Sequence, residues 1–489
     1  MKNKNQIFLL WASAGILVIS CSLLQVAGEA SAIPEAICPT TLVDAMEPGA
    51  FTSASVQVIT KIDSSIRWEP DQKGNDSQSY LQLSPNGRHV VYAAQDGDKK
   101  FMIYDGAEGK KYDYVFPPTF SPDGQRMVYP ARSGDEYFMV MDGMEEKGYD
   151  DLRKPVFSPD GKVFAYGAKI GNEWMIVVDG VEGIKYEDVG DPVFSPDGKQ
   201  LAYSVDIDGK QAVIVNGKEL RKFDFIGNDS IFFSPNSKRL VYIAQENNQQ
   251  FIVLDDERGN VYAGFQFLVF SPDSSRFAYR AQRGNKQLAV IDGKEEPEYD
   301  KVQFLCFSPD SKRVTYVAEE DGRQFVVVDG VKEPEYYGIS AGTPIFSPDS
   351  TRMAYIALTD GSQGFVVVDG IPGKTYDGFQ YLVFSPDSNR LAYRAQVGSK
   401  QIVVDNEQEG KQYDEIGWIT FSPDSKHLAY NANMNGKEYL ILDGEEHESY
   451  DFIISKVFFD QGNLIHFLAV NRLSPQVDEI MLVVKKIEQ

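Results

Sequence analysis

The chain has 489 residues, 42% of them hydrophobic and 25% charged, a globular balance that excludes a disordered chain. Its formal net charge is −24; a surface of that sign repels phosphate backbones and anionic lipid, so nucleic acid is excluded as an expected partner. Three cysteines, Cys21, Cys38 and Cys306, with no CxxC pair among them, are too few for a disulfide framework.

Chain order starts with an export signal, assigned to residues 1–32. Lys2 and Lys4 precede an apolar run from Ile7 to Leu24, the layout of a secretory leader. Val18-Ile19-Ser20-Cys21 has the form of a bacterial lipobox, which makes Cys21 the lipidation candidate. Ala30-Ser31-Ala32 suits an ordinary signal peptidase, and the apolar run also reaches the length of an uncleaved anchor. All three exits remain open. Residues 33–53 read as a linker, and the repeat array is expected over 54–489.

The array is written in one motif, Phe-Ser-Pro-Asp-(Gly/Ser). Its serine falls at 84, 121, 158, 195, 234, 271, 308, 347, 385 and 422, and an eroded eleventh copy centres on Phe459. The third copy shows the expected unit. A strand ends at Val156-Phe157, Ser158-Pro159-Asp160-Gly161 turns the chain, and Lys162–Ala168 alternates as a second strand. Met175–Val178 is a third strand, stopped by the hairpin signal Asp179-Gly180, and Lys185-Tyr186 begins a fourth. Four short strands per repeat, without helical periodicity, predict an all-β chain: a propeller of about 10–11 four-stranded blades.

Eight residues after each motif serine stands a tyrosine, from Tyr92 to Tyr430, with Phe467 in the eleventh copy. One large aromatic per blade predicts packing between blades. The residue after the turn acid or amide is Gly in copies one to four (Gly87 to Gly198) and Ser in copies five to ten (Ser237 to Ser425). Copies six and nine are near twins, Phe265–Phe270 against Phe379–Phe384, with motif serines Ser271 and Ser385 three blades apart. Copies five to ten therefore read as a duplicated three-blade block.

Three arrangements compete for the array. Constant spacing without a linker favours one large ring, whereas the usual four to eight blades favour two consecutive rings. A six-bladed ring of copies five to ten nested in the remainder is the third. The eleventh copy supplies three strands, and Val56–Thr60 has strand character without a blade of its own. The expectation is that Ser55–Ile62 completes the last blade as its outermost strand.

These residues resemble the WD-like repeats of the TolB-type propellers of the bacterial periplasm, and also the propellers of dipeptidyl peptidase and prolyl oligopeptidase relatives. The resemblance covers roughly residues 80–470 and implies the fold. The Asp-Gly after the third strand and the downstream Tyr lie outside the general TolB pattern, so the chain reads as TolB-type and not as TolB itself. Such a repeat is a scaffold for unrelated activities.

Chemistry is sparse. Gly338-Ile339-Ser340-Ala341-Gly342 matches GxSxG, but that motif needs a strand turning into a helix, and here it falls between strands. His89, His427, His447 and His466 show no metal-ligand spacing. His89 and His427 occupy places read as variable between copies. Asp206-Ile207-Asp208-Gly209 is a fragment of a calcium loop without its later ligands, and reads as a turn. Asp105, Asp142, Asp179, Asp292, Asp329 and Asp443 read as hairpin residues, and Cys306 as a core hydrophobe. No catalytic, cofactor or metal residue is assigned and no cofactor is expected. The expected function is a monomeric, non-catalytic binding or scaffold module for a protein or glycan at the bacterial envelope, membrane-associated only through its N-terminus. The alternatives are a sensory ectodomain on an uncleaved anchor and a propeller lyase or glycosidase.

Overall fold

The computed structural model describes residues 55–63, 82–86, 88–227, 229–359, 363–459, 464–474 and 477–486. The export signal, the linker, Cys21 and Cys38 lie outside the described residues.

Each repeat builds one antiparallel sheet, with strands a to d in chain order. In blade 3, strand a, in two pieces (Asp151–Leu152 and Val156–Phe157), pairs with b (Phe164–Ile170), b with c (Glu173–Val178), and c with d (Val181–Glu182). The a–b turn is held by its own side chains: Ser158 donates to Asp160 Oδ1 at 2.7 Å and accepts from the Val163 amide at 3.0 Å. The fourth strand departs from the sequence expectation. It begins at Val181, directly after Asp179-Gly180, and Tyr186 adds only an isolated bridge to Trp174. The reason is the turn, where Asp179 and Gly180 have φ of 44° and 74°. Two left-handed residues fold the chain straight back. Residues after Tyr186 already belong to blade 4, whose strand a comprises Asp188–Val189 and Val193–Phe194.

The hairpin acids act as expected. Asp105, Asp142, Asp179, Asp292, Asp329 and Asp443 each accept the first amide of strand b through Oδ1. Asp208-Gly209 is likewise a turn, between strands Leu201–Ile207 and Lys210–Val215.

Strands b and c carry near-continuous apolar runs because both faces of every blade are covered by a neighbour. The tyrosines of strand b lie in these interfaces, and from Tyr92 to Tyr430 all ten are buried, as is Phe467. Among the described residues the apolar core falls into eleven clusters, ten joining one blade to the next in sequence and one joining the last blade to the first. In the closing cluster Val90, Tyr92 and Phe101 of blade 1 pack on Leu464, Leu468 and Val484 of blade 11. Ala202 of blade 4 packs with Tyr242 of blade 5, and Leu440 of blade 10 with Phe467 of blade 11. A nested ring would have exchanged those two partnerships, so the eleven blades form one ring.

The last blade is completed by the strand before the first. Ser55–Asp63 pairs antiparallel with Val477–Lys486, with Val56 opposite Val483 and Val58 opposite Met481. This outermost strand covers an edge that would otherwise be left unpaired.

Polar links reinforce the interfaces. In the six serine-bearing copies, the serine after the turn acid accepts the turn amide of the preceding blade, from Asp197 to Ser237 (2.9 Å) round to Asp387 to Ser425 (2.9 Å). A second link uses arginine. Arg276 donates to Asp292 of its own hairpin (2.9 Å) and to the Lys312 carbonyl of the next blade (2.8 Å), and lies 4.9 Å from the Phe307 ring centroid. Arg126, Arg239, Arg313, Arg352 and Arg390 repeat that cation–aromatic contact. The place varies between copies as expected, with Val163 and Gln200 in blades 3 and 4, and in blades 1 and 10 it is taken by His89 and His427. Their Nδ1 atoms lie 2.6 Å from Asp105 and Asp443.

Candidate binding site on the inner wall of the ring

Strand d is largely exposed, whereas strands a of neighbouring blades approach one another, as in blades 6 and 7 and in blades 9 and 10. Strand a therefore forms the inner wall. Along that wall the blades differ. Blade 4 has two short pieces, but blades 6, 7, 9 and 10 have one continuous strand each: Gly264–Phe270, Lys301–Phe307, Gly378–Phe384 and Glu415–Phe421. Each contains a bulge, between Gln266 and Val269, Gln303 and Cys306, Gln380 and Val383, and Ile416 and Ile419.

The bulges present aromatic side chains at one repeat position: Phe267, Phe304, Tyr381 and Trp418. Phe267, Phe304 and Tyr381 have φ of 52°, 52° and 58°. Left-handed aromatic residues are uncommon and costly, and such backbone concentrates at functional sites. The rings meet across blade boundaries, Phe267 with Phe304 at 6.4 Å and Tyr381 with Trp418 at 4.7 Å between centroids. Trp418 is 39% exposed, and the other three are half-buried.

Cations cover these rings. The Arg280 guanidinium lies 5.2 Å from the Phe267 centroid, Arg394 lies 4.8 Å from Tyr381, and Lys456 lies 4.1 Å from Trp418. Arg280 donates to Gln266 and to the Val302 carbonyl, and Arg394 to the Ile416 carbonyl. Among the described residues none of the three forms an ion pair, whereas many outer cations do, as in Arg239–Asp255 and Lys286–Asp300. Burial pulls Arg280 down to about 10. It also lowers Arg394, opposed by Tyr381 and Glu415, and lowers Lys456. Glu438 stands nearby on strand c of blade 10. It accepts the Ile453 amide at 2.9 Å and Asn431 Nδ2 at 3.1 Å, and burial raises its carboxyl. The chemistry offered is desolvated positive charge backed by aromatic surface, able to take up an anion without breaking an existing pair.

The other singled-out residues do not converge. Ser340 lies in a strand–loop–strand segment after Gly338–Ile339, and its Oγ reaches only the Ala341 carbonyl, at 3.5 Å. His447 Nδ1 is 2.9 Å from Lys485 Nζ, and His466 is buried in blade 11. Cys306 is buried in the interface of blades 7 and 8. No group of three His, Cys, Asp or Glu residues able to hold a metal occurs among the described residues. Sequence reasoning missed Arg280 and Arg394. Their signal is a shared Tyr-Arg-Ala-Gln in the twin copies, at Tyr279–Gln282 and Tyr393–Gln396.

Eleven four-stranded sheets packed face to face around one ring and closed by a strand from the other end of the array define a β-propeller. No protein-family model matches the chain, and no curated protein matches it. Among solved structures it is similar to TolB from Acinetobacter baumannii, at 18% identity and a TM-score of 0.25, over 44% of this chain and 61% of that one. It is also similar to the Dos1 propeller, at 12% identity and a TM-score of 0.27, over 76% and 94%. A third is the β-propeller domain of the trilobed protease from Pyrococcus furiosus, at 13% identity and a TM-score of 0.27, over 62% and 95%. The chain thus spans about three fifths of the length of that TolB.

Proposed function

We propose that the chain is an exported, non-catalytic binding module of the bacterial cell envelope, which holds a protein or glycan partner on the inner wall at blades 6, 7, 9 and 10. One observation carries the reading. Ten of the eleven blades repeat one tyrosine-wedged packing scheme, with Phe467 in that place in the eleventh, yet the unpaired cations Arg280, Arg394 and Lys456 and their half-exposed rings occupy only part of the wall. A local departure from a uniform scaffold is where recognition is expected. The export half rests on Lys2 to Leu24 and the two processing sequences.

The test is affinity capture with the full chain from envelope extracts, comparing wild type with Arg394→Gln and Trp418→Ala. A stoichiometric partner retained by wild type and lost from both variants supports the reading. Turnover of a small product, or stoichiometric labelling of Ser340 by a fluorophosphonate, overturns the non-catalytic assignment.

A further inference from the structure

The inner wall carries its aromatic–cation arrangement twice. Arg280 over Phe267, with Phe304 alongside, is matched by Arg394 over Tyr381, with Trp418 alongside. The two guanidinium groups are 114 residues apart, three blades round a ring of eleven. We infer that the two sites bind successive stretches of one carboxylated polysaccharide, a polymer of uronic acid units; this rests on the reading of the inner wall as the binding surface.

Three features select that class. The first is charge. Both arginines are partly desolvated and, although Glu415 acts on Arg394, neither forms an ion pair among the described residues. Each therefore offers a local positive site that can accept a carboxylate in the planar fork geometry that guanidinium favours, against the long-range repulsion of a chain of net charge −24. The second is the company they keep. Half-exposed rings alternate with amides, Gln266 and Gln303 at one site and the exposed Gln380 at the other. A uronate pyranose offers a C–H face to a ring, hydroxyls that both donate and accept to an amide, and a carboxylate to the cation. A phosphate chain would use the cations and leave the rings idle. The third is repetition. Duplicated sites suit a ligand whose chemistry also repeats, because each engaged unit raises the effective concentration of the next. An ordinary acidic peptide presents no such period.

The experiment titrates the full chain with alginate, with its neutral propylene glycol ester, with poly-glutamate and with polyphosphate, by calorimetry and affinity electrophoresis. Alginate is expected to bind, more weakly as salt rises, and at least about ten-fold more tightly than the ester. Arg280→Gln and Arg394→Gln should each weaken it about ten-fold, and the double variant by more than either alone. Arg276→Gln, which alters an outer link between blades, should bind alginate as wild type does and serves as the folded control. Absence of alginate binding, equal binding of the ester, equal or tighter binding of poly-glutamate or polyphosphate, or indifference to both inner arginines overturns the inference. If envelope capture depends on Arg394 while alginate does not bind, the ligand class falls and the inner-wall reading stands. If capture is also indifferent to Arg394, that reading falls with it.

Discussion

The backbone amide of Asp349 donates to the hydroxyl of Ser388 across the boundary between blades 8 and 9, at 2.9 Å. Ser388 has φ of 65°, the left-handed value that the glycines of the early copies adopt, as in Gly198 at 69°. The change from glycine to serine along the array thus adds a link between blades at a constant backbone shape. Ser388→Ala should lower stability by about 1 kcal/mol. Gly198→Ser should change it by less than about 1 kcal/mol, because the link gained is offset by a side chain at a φ of 69°, while the nearest atom to its new Cβ would be Asp160 Oδ1 at an ordinary 3.7 Å. Gly124→Ser should destabilise, because its Cβ would lie 2.7 Å from Asn86 Cγ and 2.9 Å from the Asn86 amide. Denaturant midpoints of the three variants check the pattern; a stabilised Gly124→Ser would refute it.

Tyr279 is buried between blades 5 and 6 against Tyr262 and Phe265. Tyr279→Ala should cost about 3–5 kcal/mol through the lost ring and the cavity it leaves. Tyr242→Phe should be neutral or stabilising by up to about 1 kcal/mol, because its buried hydroxyl has no hydrogen-bond partner. Thermal unfolding of both variants is the check, and a harmless Tyr279→Ala would contradict the packing role.

Glu438 stands where sibling blades use glutamine to bind the next blade's amide, as Gln401 binds Ile416 at 2.6 Å and Gln287 binds Val302 at 2.8 Å. Its carboxyl is raised above 4.5 by burial. The folded state therefore holds the proton longer than the unfolded chain, and stability falls as pH rises from about 4.5 through the raised folded value. Glu438→Gln should remove that decline and raise Tm at neutral pH, with little effect near pH 4. A wild-type Tm that climbs through this range while Glu438→Gln lies below it at pH 7 would contradict the assignment.

The a–b turns predict the opposite slope at lower pH. Asp310, Asp349, Asp387 and Asp424 are held down to about 2, first by the hydroxyl of the motif serine two residues earlier. Asp273 is held to the same value, first by the Ser275 amide. The turns contribute fully above the ordinary 3.8 and lose that contribution as pH falls towards 2. Tm should drop through this window, and the drop should be smaller in Asp349→Asn, which cannot be protonated there.

Export through Cys21 has its own test. Feeding cells a fatty-acid analogue should label wild type and leave Cys21→Ala unlabelled. Equal labelling of the two, or none of either, counts against lipidation at this residue.

The sequence by itself determined the blade. Ser158 and Asp160 fix a turn within six residues, Asp179-Gly180 fixes a hairpin, and a tyrosine recurs at one spacing, so local chemistry repeated ten times is legible before any fold is known. The partner of Ser55–Ile62 was legible as well, because a last copy with three strands leaves one unpaired edge. What only the tertiary structure decided depends on which blades touch. One ring and a nested ring contain the same blades in the same order, and they differ only in whether Ala202 meets Tyr242 and Leu440 meets Phe467. The inner wall is hidden from sequence for the same reason. Arg394 and Tyr381 are 13 residues apart on different strands, and Lys456 comes to Trp418 only because blades 10 and 11 pack together. The bulge that turns Tyr381 to a φ of 58° leaves no mark in a strand-like run of letters. Sequence periodicity encodes the strands, whereas the charge left unpaired on the wall emerges only when the ring closes and removes it from water.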